Sequence, residues 1–167
     1  LLVYLNKISE TDWIEFLVRR FHQTQKTISP ETATRIARLC DCHPYYVQQL
    51  AQHSWLRTDG SCTHRTVDAA FEALILQSGF LFQTLTDALT TTQINYLHAM
   101  LDGVRNLSGK ITIASYALGT SANVSRIRHA LIEKEIIENA GRNPVFLDPI
   151  YRQWLRLYYF RMQSRPE

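Results

Sequence analysis

The chain has 167 residues, a formal net charge of +3 and 46% hydrophobic residues. That length suffices for one domain, or for two small ones with real cores. No stretch approaches the ~20 uninterrupted apolar residues of a membrane helix, so no membrane partner is expected.

In chain order, LLVYLNKI is short, apolar and β-prone, and reads as a connecting segment. SETDWIEFLVRRF opens a helix, with Ser9 as N-cap and Asp12 at the third helical position. Trp13, Phe16, Leu17, Arg20 and Phe21 follow helical spacing and predict one buried face. QTQKT is a polar loop. Ser29 caps the next helix and Pro30 takes its first position, where a missing N–H costs nothing. Ala33, Ile36, Ala37 and Cys40 form its apolar stripe. Pro44 starts a third helix, with Val47, Leu50, Ala51 and Ser54 on one side. RTDGSCTH is a turn-rich connection. Thr66 is expected to cap a fourth helix with Val67, Ala70, Phe71, Leu74 and Ile75 inward. GFLFQTLTDAL is either a further helix or an irregular bridge.

A second unit is expected from about residue 87. Thr91 is expected to cap a helix bearing Ile94, Leu97 and Leu101, which Gly103 ends. KITIASYALG is a short helix closed by Gly119. SANVSRIRHALIEKE is a longer one, with Val124, Ile127 and Leu131 inward. IIENA and VFLDP are β-prone runs flanking Gly141-Arg142-Asn143-Pro144, a hairpin pattern. A last helix runs from Pro149, with Ile150, Tyr151, Trp154, Leu155 and Tyr158 on one face.

Two features invite a functional reading. Cys40, Cys42 and His43, then His53, Cys62 and His64, supply thiolates and imidazoles of the kind that bind zinc. Cys40, however, lies on an apolar helical stripe, where cysteine acts as a small hydrophobe. Cys42 and His43 belong to a turn before Pro44, and C-x-C is not the usual knuckle spacing. No metal is therefore assigned. Three cysteines also make no disulfide framework, and a reducing, cytoplasmic setting is expected.

The second feature is a short helix, a turn at Gly119-Thr120-Ser121, a longer helix and a hairpin. This is the order of a winged helix–turn–helix. Its second helix would present Ser121, Asn123, Arg126 and His129, and Lys110, Arg128 and Arg142 would reach phosphates. Residues 104–167 hold 10 basic and 5 acidic side chains, against 8 and 10 before them. DNA binding and protein docking both remain open, since the fold serves either. No phosphate loop, dinucleotide fingerprint or nucleophile elbow occurs, so the chain itself is not expected to be an enzyme.

Three stretches carry a resemblance: NKISETDWIEFLVRRF, the turn at CHPYYVQQLA, and LTTTQINYLHAM leading to DPIYRQWLR. Their order resembles the C-terminal half of prokaryotic P-loop ATPases of the archaeal ATPase type, within the AAA+-like and STAND groups. The resemblance implies a mainly α fold: a small helical, lid-like bundle over 1–86, then a winged helix–turn–helix domain over 87–167. It implies that the full-length protein carries a preceding P-loop ATPase domain, with ATP and Mg, as a partner in cis. The start without methionine fits such a cut. No cofactor is expected in the fragment itself. In the family, a Gly-x-Pro turn of the lid approaches the nucleotide base. His43, Pro44 and Tyr45 match that stretch, and Cys42 stands where the family has glycine. Arg35 and Arg38 lie near the turn without matching a lid arginine. The implied function is regulatory, coupling nucleotide state to a winged-helix output or docking module. The alternative is a DNA-binding winged helix like those of transcription regulators.

Overall fold

The computed structural model describes residues 8–140 and 143–162. Residues 1–7, and with them most of the expected connector LLVYLNKI, lie outside the described residues, as do Gly141 and Arg142. The protein is mainly helical, with nine helices among the described residues, and by its internal contacts it divides between Ser78 and Gly79 into two compact units.

The first unit holds α1 (Glu10–Gln23), α2 (Pro30–Leu39), α3 (Pro44–Leu56) and α4 (His64–Gln77). Ser9 and Ser29 cap α1 and α2, each accepting from the backbone N–H three residues on. α1 buries Trp13, Leu17 and Phe21, while Phe16 and Arg20 fall outside that stripe and are exposed. Opposite lie Ala33, Ile36 and Ala37 of α2, Val47 and Leu50 of α3, and Val67, Ala70 and Ile75 of α4. Each large apolar side chain buried this way contributes about 1.5–3 kcal/mol. α4 starts earlier than the sequence suggests. Its N-cap is Thr63, and Thr66 supplies the backbone N–H that Thr63 accepts.

The two polar loops, QTQKT and RTDGSCTH, contribute a short parallel pairing that their turn-rich sequences do not announce. β1 (Thr27–Ile28) pairs in parallel with β2 (Ser61–Cys62), in the register Thr27 to Ser61 and Ile28 to Cys62. Each strand leads directly into a capping residue, Ser29 or Thr63. Lys26 donates to the Trp55 carbonyl at 2.7 Å and sits 3.9 Å from the Trp55 ring centroid.

The second unit opens with α5 (Gly79–Asp87), which the sequence reading placed at the close of the first region. Its Phe82 packs against Tyr151 with the rings tilted, at 5.2 Å between centroids, and Thr86 is buried against the Tyr151 hydroxyl at 2.8 Å. α6 (Thr91–Leu101) is capped by Thr90, not Thr91, because Thr90 and Gln93 form a reciprocal capping box. Its buried residues are Gln93, Tyr96, Leu97 and Ala99, with Ile94 and Leu101 only half-buried.

α7 (Lys110–Ser115) ends sooner than Gly119: Tyr116 is its C-cap and Ala117 turns the chain at φ 51°. α8 (Ser121–Glu133) buries Val124, Ile127 and Leu131. β3 (Ile137–Ala140) and β4 (Asn143–Phe146) form an antiparallel hairpin, Ile137 opposite Phe146 and Ala140 opposite Asn143. Asn143 and Pro144 therefore belong to a strand, not to the turn. Proline is tolerated there because a two-stranded sheet has only edges.

α9 (Pro149–Trp154) is capped by Asp148, which accepts from the Ile150 and Tyr151 N–H groups. The helix then widens into a π-turn, Leu155–Tyr159, closed by Phe160 N–H to the Leu155 carbonyl at 2.8 Å. The wider turn breaks the expected α stripe. Ile150, Tyr151, Trp154 and Leu155 are buried, whereas Tyr158 is 37% exposed.

Candidate functional site

The turn between α2 and α3 is built by main-chain geometry. Cys40 ends α2. The Asp41 N–H donates to the Arg38 carbonyl at 3.1 Å, and the Cys42 N–H to the Ala37 carbonyl at 2.8 Å. This pair of bonds is a Schellman closure, which needs a left-handed residue after the cap. Asp41 supplies it at φ 49°, and Cys42 follows at φ 55°. A left-handed backbone favours glycine, so Cys42 holds a glycine-like conformation with a side chain attached. The Trp13 indole N–H donates to the Cys42 carbonyl at 3.2 Å and pins the turn to α1.

Beyond the turn, His43 is the N-cap of α3 and Pro44 its first residue, and no side chain caps the helix. The His43 and Tyr46 rings lie 5.0 Å apart, and Tyr45 meets Tyr46 edge-on at 5.1 Å. Tyr45 is 60% exposed. His43 Nδ1 is buried and has no hydrogen-bond partner among the described residues. The arrangement groups three aromatic rings, tilted or edge-on to one another, beside a helix start. It brings His43, Pro44 and Tyr45 together as adjacent groups of one turn.

The cysteines and histidines do not converge. Among the described residues, no group of three or more His, Cys, Asp or Glu side chains is placed to hold a metal ion. Cys40 is fully buried in the helical core, and Cys62 is buried on β2. Burial raises the Cys62 thiol above its ordinary pKa, which keeps it protonated.

On the second unit, Lys110, Ser121, Arg126 and His129 are exposed along α7 and α8. Two other expected contact residues are engaged inside the fold. The Asn123 side-chain amide donates to the Leu118 carbonyl at 2.8 Å and braces the corner before α8. Arg128 donates twice to Asn139 Oδ1, at 3.0 and 2.6 Å, and ties α8 to β3. Arg142 lies outside the described residues. Next to Lys110, Ile111 is 84% exposed. At the far end of α8, His129 faces Glu133 at 3.4 Å.

Sequence reading missed a third place. A cleft of about 490 Å³ in the second unit is walled by the end of α6, by β4 and by α9 with its π-turn, and it gathers Arg105, Arg152 and Arg156. The basic excess of residues 104–167 was the available signal, but these arginines are too far apart in the chain to form a motif.

Among the described residues no helix is long and apolar enough to cross a membrane. No family model matches the chain, and no curated protein matches it in sequence.

Proposed function

We propose that the chain is the lid and winged-helix region of a P-loop ATPase, and that it converts the nucleotide state of a preceding ATPase domain into docking by the second unit. The observation that carries this reading is the left-handed backbone of Cys42, at φ 55°. The turn keeps the conformation that a glycine would favour and presents Pro44 and the exposed Tyr45 ring at the start of α3. A bound nucleotide shifts a two-state equilibrium only through contacts that differ between the states, and this turn would supply part of that difference. ATP and Mg would be held by the preceding domain, in the cytoplasm. The chain's sequence has no phosphate-loop motif, so the purified protein should release no phosphate from ATP above background. ATP turnover by this chain would refute the reading.

Docking is favoured over base recognition because the Asn123 and Arg128 side chains are used inside the fold, while the apolar Ile111 is exposed on α7. DNA binding is the second reading, supported by the exposed Lys110, Ser121 and Arg126 on one helix–turn–helix. It requires affinity for duplex DNA that falls steeply with salt and weakens in Arg126→Ala. A mobility-shift titration at low salt decides: absence of a shifted species leaves protein docking as the output.

A further inference from the structure

We propose that the arginine cleft of the second unit binds a small phosphomonoester with an apolar or aromatic body. Arg105, Arg152 and Arg156 line it, and none of the described lining residues is acidic. Its volume of about 490 Å³ falls within the range of pockets that hold small molecules. Leu107, Val145 and Phe146 add apolar lining to the same cleft.

Arg156 adds a separate observation. Its Nε is buried and has no hydrogen-bond partner among the described residues. A buried guanidinium N–H is costly to leave unpaired, and phosphate oxygens are the partners its planar fork fits best. Arg156 also sits on the π-turn, one turn beyond Arg152. Such turns are rare in helices and concentrate at functional sites. Both side chains line the same cleft.

Arg105 and Arg156 in one cleft, with no acidic residue among its described lining, favour a dianion over a monoanion. The walled shape and the apolar side favour a compact ligand over a nucleic-acid backbone.

The test titrates phenyl phosphate into the whole chain at low ionic strength, with benzoate and benzyl alcohol as controls, by calorimetry and amide chemical shifts. Saturable binding of phenyl phosphate is expected, with the largest shifts at Val104–Leu107 and Val145–Phe146. Benzoate should bind more weakly and benzyl alcohol not at all. Losing a charge-assisted bond should weaken phenyl phosphate at least about tenfold in Arg156→Gln and in Arg105→Gln. Lys134→Gln, exposed at the end of α8 and outside the cleft, should leave it unchanged. Arg105 is exposed, so its variant carries the test if Arg156→Gln does not fold. No saturable binding to the folded protein, benzoate binding as tightly, or unchanged affinity in Arg105→Gln would each overturn the proposal. So would duplex DNA displacing phenyl phosphate, since that assigns the arginines to a nucleic-acid backbone.

Discussion

Cys42 and Ala117 each carry a β-carbon through a left-handed backbone, at φ 55° and φ 51°. Glycine enters this region without the steric penalty of about 1–2 kcal/mol that an L side chain meets. It also frees the unfolded chain, which returns about 0.4–1 kcal/mol of that gain. Ala117→Gly and Cys42→Gly should therefore each stabilise the protein by roughly 0.5–1 kcal/mol. Cys42→Val should destabilise it, because a β-branched side chain fits this region worst. Urea unfolding followed by circular dichroism reads all three. The glycine expected at Cys42 was legible only as a mismatch of residue type. The backbone takes the left-handed form regardless: Cys42 lies between the Schellman closure completed through Asp41 and the start of α3, and the Trp13 indole holds its carbonyl, which no local pattern announces. Asn123 shows the converse, a residue type that is legible in the sequence and a contact that is not. Its residue type fits base recognition, but its amide is committed to the Leu118 carbonyl.

Within the elements, α5 and α9 are joined by one hydrogen-bonded column. Thr86 donates to the Phe82 carbonyl at 2.7 Å, and the Tyr151 hydroxyl donates to Thr86 Oγ1. Burial pushes the Tyr151 phenol up to about 12, against an ordinary value of 10. The folded form thus holds its proton more tightly than the unfolded chain. The associated stability is complete below pH 10 and is lost as pH rises toward 12, by roughly 2–3 kcal/mol in total. Stability measured from pH 9 to 12 should fall along that window, and Tyr151→Phe should flatten the fall. At neutral pH the same substitution should cost about 1 kcal/mol for the lost bond. The Asp102 carboxylate beside Tyr116 raises that phenol to about 12 as well, so a residual slope in the variant belongs to Tyr116.

Helix starts were mostly legible, because Ser9, Ser29 and Pro44 are locally decisive residues. The two misplaced starts lie where several hydroxyls compete. Thr63 and Thr66 bond each other at 2.9 Å, and Thr90 stands in a run of three threonines. In the second case Gln93 identifies Thr90, since only Thr90 places a glutamine at the third helical position. The π-turn was not legible, because its residues are as apolar and aromatic as a continuing α-helix would require.

At the scale of the molecule, the order of helical bundle, helix–turn–helix and hairpin could be read from periodicity and turn residues. The division at Ser78–Gly79 could not, because α5 is apolar enough to close either unit, and Phe82 and Thr86 decide by their contacts with Tyr151. The arginine cleft was equally hidden: Arg105 follows α6, while Arg152 and Arg156 lie beyond the hairpin, and only tertiary structure brings them together.

The two-residue ladder of β1 and β2 bears on how the first unit assembles. Thr27 N–H reaches the Gly60 carbonyl at 2.8 Å across 33 positions of chain. Closing a loop of that length costs about 3 kcal/mol of chain entropy, while each ladder bond returns only about 0.5–1.5 kcal/mol. The ladder cannot nucleate anything by itself. It can close only once the helices have brought both loops together, and it then ties the α1–α2 pair to the α3–α4 pair at a second place besides the packing of α2 on α3 and α4.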